Sequence, residues 1–321
     1  CVVTVETAGG TQPLLDALGM PVDPQRGRQP AGPRRGSHFA VADGPTSGVI
    51  WSADGLILTS SFNFARDPLA VAVVLSDGRR FVARLLARDR VRKLALLKID
   101  ASGLPVPAWA EREEIRTGQT AIALGRGLAT ERSSLTVGIV SATSRMAGHA
   151  IQTDAKLSPA NYGGPLIDLH GRVLGVCVPM GLQPGELAGV EWYDSGIGFA
   201  VPRDIVDGVV SKLAAGQSIE RGWLGISMVP DPFPGVLILQ VAANSPAERI
   251  GLRPLDRVIA IDRRPVWSQT DLLRRMNCRG AGESIDLTVT RHNWPMGFRV
   301  QLAAFGEMEF QRLAPPEPDE P

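Results

Sequence analysis

Short runs of alternating apolar and polar residues follow one another along the chain. The segments "SGVIWSADGLILTSS" and "AVAVVLSDGRRFVARLLARD" each contain two such runs, which meet at Asp54-Gly55 and at Asp77-Gly78. Alternation with a period of two is the pattern of a half-buried strand, and Asp-Gly between two strands favours a hairpin turn. Similar runs recur about every 8 to 12 residues, which is the spacing of all-β barrels. The pattern predicts a mainly β protein.

Helical spacing appears at few places. Ile205, Val209 and Leu213 lie at positions i, i+4 and i+8 and predict a helix. Leu272 and Met276 predict a second helix, which follows a new set of strand-like runs. Because strands return after the first helix, the sequence indicates a separate small domain toward the C-terminus.

Composition and charge narrow the class of protein. The chain has 321 residues, which corresponds to about two domains of ordinary size. Hydrophobic residues make up 44% and charged residues 21%, so the chain has enough apolar side chains for packed cores. The net charge is +1, which gives no support to a nucleic acid or a membrane surface as partner. No apolar run approaches the ~18 residues of a membrane span, so we expect no spanning segment in this chain.

The three cysteines, Cys1, Cys177 and Cys278, lie far apart. Their spacing fits neither a metal site nor a disulfide framework, so we expect buried free thiols, no metal and no cofactor. Cys1 at the first position leaves two interpretations open. It is a lipid-modified mature N-terminus, or the chain opens inside a domain with any signal or anchor upstream. The alternation in "CVVTVET" favours the second interpretation.

Longer motifs give a resemblance to a known family. They include "SGVIWSADGLILT", "LALLKID", "TVGIVSATSR", "GGPLIDLHGRVLGV" and "RGWLGI". Through these motifs and their order, the chain resembles members of the HtrA family, which consists of trypsin-like serine proteases with a C-terminal PDZ domain. The resemblance implies a periplasmic or otherwise extracytosolic location. It also implies a trypsin-like double six-stranded β-barrel at 1–202 with a long Pro- and Arg-rich loop at 9–47, a linking helix at 203–218, a PDZ domain (β-sandwich-like with two helices) at 219–306 and a disordered acidic tail at 307–321.

The catalytic positions of the family carry other residues in this chain. Serine proteolysis needs a hydroxyl nucleophile, an imidazole base and a carboxylate that orients the imidazole. By resemblance, Phe62 stands at the histidine position, Lys93 at the aspartate position and Tyr162 at the serine position. Ala160 replaces the glycine of the oxyanion hole, where a Cβ resists the required backbone conformation.

These replacements lead to the expectation that the chain is not an enzyme but an inactive protease homologue that acts as a peptide-binding scaffold or regulator. Phe62 cannot accept a proton, Lys93 would repel an imidazolium, and the phenol of Tyr162 extends too far from its Cα to replace a serine hydroxyl. Two alternatives stay open. The chain is a regulatory subunit that assembles with active HtrA proteases, in a possible trimer, or it is a serine-type endopeptidase with a non-standard site.

The second domain keeps the sequence of a peptide-binding loop. PDZ domains capture peptide C-termini by adding a strand to a sheet edge, while backbone N–H groups hold the carboxylate. The resemblance implies protein or peptide C-termini as partners. It implies a site built from Trp223, Leu224, Gly225 and Ile226 in the loop, and from Leu272 and Met276 in the following helix.

Overall fold

The computed structural model of the chain describes residues 1–8, 45–64, 68–126, 133–180, 195–229, 231–276 and 279–304. These residues divide between two compact units, Cys1–Ile219 (unit 1) and Glu220–Pro321 (unit 2). Most of the predicted loop at 9–47 and the whole predicted tail at 307–321 lie outside the described residues. No helix in the described part of the chain is long and apolar enough to cross a membrane.

Unit 1 contains two closed barrels of six antiparallel strands each. The strand order is β1-β2-β3-β6-β5-β4 in the first barrel and β10-β11-β12-β9-β8-β7 in the second. The strands are β1 (Val2–Ala8), β2 (Thr46–Ile50), β3 (Leu56–Ser60), β4 (Ala70–Val74), β5 (Arg80–Asp89), β6 (Leu94–Ile99), β7 (Thr120–Gly125), β8 (Ser134–Arg145), β9 (Ala150–Thr153), β10 (Pro165–Ile167), β11 (Val173–Val178) and β12 (Gly198–Val201).

The two predicted Asp-Gly turns form as hairpins of the first barrel. Gly55 and Gly78 have φ angles of 102° and 88°, in the left-handed region that glycine adopts without a steric penalty. They join β2 to β3 and β4 to β5, which pair in antiparallel register. Alternation therefore predicted these strands correctly, because one face of each is buried in the barrel core.

Among the described residues of unit 1, one α-helix forms, α1 (Arg203–Ala214), and it lies at the C-terminal end of the unit. Its buried residues are Val206, Val209 and Leu213, which pack in a core cluster with side chains of both barrels. Ile205, which the spacing predicted as a core residue, is only half-buried at the edge of this cluster. The buried stripe is thus shifted by one residue at the start of the helix.

The described residues of unit 2 form a sheet and two helices. The sheet order is β14-β15-β16-β18-β19, with β17 paired to β16, and β13 pairs separately with β20. β14 and β19 are therefore the two edges of the sheet. The strands are β13 (Gly222–Trp223), β14 (Ile226–Met228), β15 (Val236–Val241), β16 (Arg257–Ile261), β17 (Arg264–Pro265), β18 (Ser284–Arg291), β19 (Trp294–Gln301) and β20 (Ala303–Ala304), and the helices are α2 (Pro246–Arg249) and α3 (Gln269–Met276).

Candidate functional site

Two of the predicted catalytic positions lie in direct contact in unit 1. Phe62 belongs to a 3₁₀ turn, Ser61–Phe64, that follows β3. Its ring centroid lies 5.4 Å from that of Tyr162, with the ring planes inclined by 59°. Phe62 is 7% exposed and Tyr162 is 2% exposed, and both belong to one apolar cluster. The two rings thus pack against each other at the positions that the resemblance assigns to the base and the nucleophile.

Lys93, at the third position, is joined to the same turn through its backbone. Its φ angle of 60° is unusual for a residue with a side chain. Its carbonyl oxygen accepts hydrogen bonds from the Ser61 N–H (2.8 Å) and from the Ser60 hydroxyl (3.3 Å). Ser60 Oγ in turn accepts the N–H of Phe62 at 3.2 Å. The structure therefore brings Phe62, Lys93 and Tyr162 into one region.

The turn that carries Tyr162 uses most of its own backbone donors. The N–H groups of Asn161 and Tyr162 both donate to the carbonyl oxygen of Ser158, at 3.0 and 3.2 Å. Gly163 N–H donates to the Cys177 carbonyl oxygen at 2.8 Å. An oxyanion hole needs the N–H of the nucleophile residue to point at the reacting oxygen. Here that N–H, on Tyr162, already has an acceptor within the turn.

Ala160 contributes its carbonyl group to the packing between strands. The Ser47 hydroxyl donates to the Ala160 oxygen at 2.8 Å and accepts the N–H of Arg126, also at 2.8 Å. Thr59 Oγ1 donates to the Ser47 carbonyl oxygen at 2.7 Å. Ser47 and Thr59 were not predicted as site residues. The sequence gives no signal for them, because both look like ordinary polar positions of strands.

The glycine pair after Tyr162 lies where the two barrels meet. Gly163 has a φ of 82°, and a Cβ there would lie 2.2 Å from the Ser47 carbonyl oxygen of the first barrel. A Cβ on Gly164 would lie 2.2 Å from the carbonyl oxygen of Leu124 in the second barrel. Both glycines are thus required by close backbone packing.

Cys177 lies directly behind this turn. Its N–H donates to the Gly164 carbonyl oxygen at 2.9 Å, and its own carbonyl accepts from Gly163. The side chain is fully buried, and burial raises the pKa of the thiol to about 12. A thiol with such a pKa stays protonated at neutral pH and is not a nucleophile.

The predicted peptide-binding loop of unit 2 differs from the turn around Tyr162, because its backbone N–H groups are not used within the loop. Its carbonyl groups point into the unit, where Leu224 O accepts from Ala247 N–H at 2.9 Å and Gly225 O accepts from Ala242 N–H at 2.8 Å. The N–H groups of Leu224 and Gly225 donate to no acceptor within the described part of the chain. Successive outward N–H groups of this kind form a concave site for an anion.

Ile226 extends this row of donors along the edge strand β14. It pairs with Val241 of β15, and the neighbouring bond from Ala242 to Gly225 makes this a non-hydrogen-bonded pair. The N–H and carbonyl groups of Ile226 therefore point away from β15. β14 has no other strand neighbour among the described residues, so this edge is open to an added strand.

Gly225 is fixed by packing at the centre of the loop. Its φ is 89°, and a Cβ would lie 2.2 Å from the Cβ of Ser245. Ser245 is fully buried and caps α2, where its hydroxyl oxygen accepts the N–H of Glu248 at 3.1 Å. The loop therefore rests directly on the start of α2.

The apolar residues predicted for the peptide site differ in accessibility. Leu224, Leu272 and Met276 are 4%, 1% and 9% exposed and belong to the core of unit 2. Trp223 and Ile226 are half-buried, and Ile226 packs against that core. Leu272 and Met276 thus lie on the buried face of α3, where their side chains leave little accessible surface for a ligand.

Comparison with known proteins gives matching families for both units. Residues 46–176 match the trypsin-like peptidase domain, and residues 222–302 match the PDZ domain. The solved structure of the HtrA-type protease AlgW with a tripeptide has a TM-score of 0.63 and 30% identity, over 81% of this chain and 89% of that chain. A serine endoprotease from Yersinia pestis, with a TM-score of 0.65 and 24% identity over 95% of this chain and 94% of that one, shares the fold.

Curated relatives decide the family. The putative serine protease HhoA of Synechocystis is 30% identical over 81% of this chain and 71% of its own length. The chain belongs to the HtrA family. A probable periplasmic DegP-like serine endoprotease of Ectopseudomonas mendocina is 31% identical over 91% of this chain and 62% of its own length. This HtrA protein thus spans about three fifths of the length of the DegP-like relatives it matches most extensively.

These relatives settle three of the predictions. The mainly β fold with two barrels and a PDZ domain is confirmed, as is the extracytosolic location, since the DegP-like relatives are named periplasmic. The prediction that the chain is not an enzyme is wrong: its relatives are named as serine endoproteases, and their names point to an active protease. That Phe62, Lys93 and Tyr162 occupy the catalytic positions of the family stays a prediction from the resemblance.

Proposed function

We propose that this HtrA protein binds extended polypeptides outside the cytosol by their C-termini, through the loop Trp223–Ile226 and the edge of β14. The observation that carries the proposal is the row of outward N–H groups on Leu224, Gly225 and Ile226. The carbonyl groups of Leu224 and Gly225 accept hydrogen bonds inside unit 2, and the N–H of Ile226 points away from β15, so the three donors are available without any rearrangement. A peptide carboxylate supplies the acceptor, and strand pairing along β14 supplies the remaining main-chain bonds.

The backbone donors and the apolar residues of the loop suit such a ligand. Each hydrogen bond from a backbone donor to a carboxylate is stronger than one to a neutral acceptor. Within the loop, Leu224 packs in the core of unit 2 and the half-buried Ile226 keeps part of its apolar side chain accessible, which favours an apolar last residue of the peptide. Main-chain pairing with one filled pocket corresponds to a dissociation constant of about micromolar, or about −8 kcal/mol.

The test compares peptides that differ only at the terminal group. A peptide ending in an apolar residue with a free carboxylate is titrated against the full chain by calorimetry, beside the same peptide with an amidated terminus. We expect amidation to weaken binding by about tenfold or more, because the loop donors lose a charged acceptor. Equal affinity of the two peptides would show that the loop is not a carboxylate site.

Endopeptidase activity is a second candidate function, favoured by the names of the relatives. The groups at the three catalytic positions that can exchange a proton are the Lys93 amine and the Tyr162 phenol. A Lys–Tyr pair would have to replace the base and nucleophile of the serine mechanism. Unlike the peptide-binding loop, this region offers no open backbone donor at the nucleophile position, since Tyr162 N–H is bonded to Ser158.

Turnover of an unfolded, fluorophore-labelled protein tests this candidate. If this candidate function is correct, we expect the purified chain to cleave the labelled protein measurably. Cleavage should be lost in Tyr162→Phe and in Lys93→Met. Cleavage that survives both substitutions would indicate a contaminating protease. Absence of cleavage by the unmodified chain would refute the candidate.

Assembly of this chain into a trimer, or with active HtrA relatives, stays a prediction. Light scattering of the purified chain, alone and mixed with an active relative, measures it. A mass that remains that of a single chain in both samples would contradict it.

A further inference from the structure

A large aromatic side chain near the start of α3 stands outside the core of unit 2. Trp267 is 66% exposed, although the preceding Val266 is 2% exposed and anchors the segment in the core. Trp267 makes none of the ring contacts found among the described aromatic residues. Exposed tryptophan is costly in water and is enriched where proteins bind other molecules.

The backbone that carries this ring is held on both sides. Trp267 N–H donates to Asp271 Oδ2 at 3.3 Å, and Asp271 is held by a salt bridge of 3.0 Å to Arg275. On the other side, Val266 N–H donates to the Ile259 carbonyl oxygen at 2.8 Å. The indole is therefore presented from a fixed position, which lowers the entropy lost when a ligand packs on it.

The direction of α3 relative to the peptide-binding loop follows from hydrogen bonds at its C-terminal end. Gly222 N–H donates to the Arg279 carbonyl oxygen at 2.8 Å, and Ala281 N–H donates to the Glu220 carbonyl oxygen at 2.8 Å. The segment after α3 thus lies beside residues 220–222, immediately before the loop. The start of α3, with Trp267, lies at the far end of the helix from the loop.

The length of α3 then sets the position of Trp267 along a bound peptide. α3 has eight residues, which at about 1.5 Å per residue span about 12 Å. An extended peptide advances about 3.3 Å per residue, so about four residues cover this distance. A peptide whose carboxylate lies at Leu224–Ile226 and which runs beside α3 brings its fourth or fifth residue from the end to the level of Trp267.

We propose that Trp267 is a specificity-determining residue, which selects peptides carrying an aromatic or large apolar side chain at the fourth or fifth position from the C-terminus. The inference rests on the proposed function, since it needs the carboxylate at the loop. It extends recognition from the last residue to a second contact at the other end of α3. Aromatic side chains pack on an indole more favourably than their buried area alone accounts for.

Decapeptides with a free carboxylate and an apolar last residue test the inference. One series carries tryptophan at the fourth or fifth position from the end, and the matched series carries alanine there. In the full chain, Trp267→Ala should weaken binding of the tryptophan peptide by about tenfold and leave the alanine peptide unchanged. Trp294→Ala is the matched control, because Trp294 is 76% exposed but lies on β19, at the opposite edge of the sheet from β14.

The outcomes separate the inference from the proposed function. Peptides that bind equally with free and amidated ends would refute the carboxylate site itself. Carboxylate-dependent binding in which Trp267→Ala affects both peptide series alike, or neither, would leave that site standing and overturn the role of Trp267. Trp267→Phe, which keeps a ring on the same backbone, should retain most of the preference; loss of the preference in this variant, with circular dichroism unchanged, would also contradict the inference.

Discussion

The turn around Tyr162 in unit 1 and the loop around Gly225 in unit 2 have similar backbones but differ in whether their N–H groups are already hydrogen-bonded. Both are short backbone segments with a glycine at positive φ, and the resemblance predicts for both a place where N–H groups receive a negative charge. In unit 1 the N–H of Tyr162 is bonded to Ser158, whereas in unit 2 the N–H groups of Leu224 and Gly225 have no acceptor among the described residues.

The difference shows that a glycine-containing turn is an anion site only when the protein leaves its donors unused. In the loop of unit 2 the carbonyl groups are satisfied by Ala242 and Ala247, so the peptide planes are held with their N–H groups outward. In unit 1 the turn closes on itself through its hydrogen bonds to Ser158, and the ring of Tyr162 packs against Phe62. Opening that turn would require the loss of existing hydrogen bonds before a new acceptor could be bound.

The largest effect is expected from Gly163→Ala. A Cβ there would meet the Ser47 carbonyl oxygen at 2.2 Å and Thr59 Oγ1 at 2.4 Å, at a φ of 82°. Overpacking and backbone strain together should lower the free energy of unfolding of unit 1 by about 3 to 5 kcal/mol. Gly171→Ala is the control, since Gly171 has a φ of 76° but open space around it, and should cost about 1 kcal/mol.

Urea unfolding of the two variants, followed by circular dichroism, measures this difference. A cost for Gly163→Ala no larger than that for Gly171→Ala would mean that the turn moves easily. Its donors would then be available after all, and the contrast between the two units would disappear.

Gly225→Ala should have the next largest effect, on unit 2. The added methyl group would lie 2.2 Å from Ser245 Cβ, so the loop has to shift. We expect a loss of about 2 to 4 kcal/mol in stability, together with a loss of peptide affinity of at least tenfold. Gly251→Ala, at a φ of 80° in open space, is the matched variant that should keep binding. Unchanged affinity in Gly225→Ala would argue against the loop as the carboxylate site.

Alkylation of Cys177 reports directly on whether the turn of unit 1 opens. Because burial raises the pKa of this thiol to about 12, it should remain unmodified by iodoacetamide at pH 8 in the folded chain, while the exposed Cys1 reacts. A raised pKa in the folded state favours the folded protein below the ordinary thiol pKa of 9.0, and this contribution is lost as the pH rises toward 12. Mass spectrometry of the peptide containing Cys177 gives the rate. Modification as fast as that of Cys1 would show an open turn.

Ser245→Ala should have the smallest effect. It removes the cap of α2, because the Ser245 hydroxyl accepts the Glu248 N–H at 3.1 Å, and should cost about 1 kcal/mol in unit 2. The backbone donors of Leu224 and Gly225 are not altered, so peptide affinity should change by less than about twofold. Thermal unfolding and the same peptide titration measure both quantities. A tenfold loss of affinity would mean that the loop depends on the cap and not only on its own backbone.

Alternation and turn residues predicted most of the fold, and the missed elements have physical reasons. The hairpin strand β19 was not predicted, although Met296, Phe298 and Val300 alternate, because Pro295 and Gly297 weaken the strand pattern. The turn before it is formed by His292 and Asn293, with φ angles of 50° and 68°. Only asparagine among these two is a common turn signal.

The sequence predicted which residues lie in the candidate sites, but not which of their backbone groups are already hydrogen-bonded. The motifs placed Phe62, Lys93 and Tyr162 together, because Phe62 follows β3, Lys93 precedes β6 and Tyr162 precedes β10, and the pattern of each strand fixes its place in the barrels. Whether a given N–H is already bonded depends on the rotation of single peptide planes, which leaves no trace in residue types. The acceptor role of Ser158, and the free donors of Leu224, were therefore visible only in the structure.

The contact of Gly163 and Gly164 with both barrels has a consequence for reading sequences of this kind. The Gly-Gly-Pro signature is usually taken as a sign of the hydroxyl that precedes it. In this chain the two glycines are held by Ser47 and Leu124, whatever residue stands at position 162. The Gly-Gly-Pro signature thus marks the place where the two barrels pack together. The residue that precedes the signature has to be inspected separately, because that residue decides which chemistry is possible there.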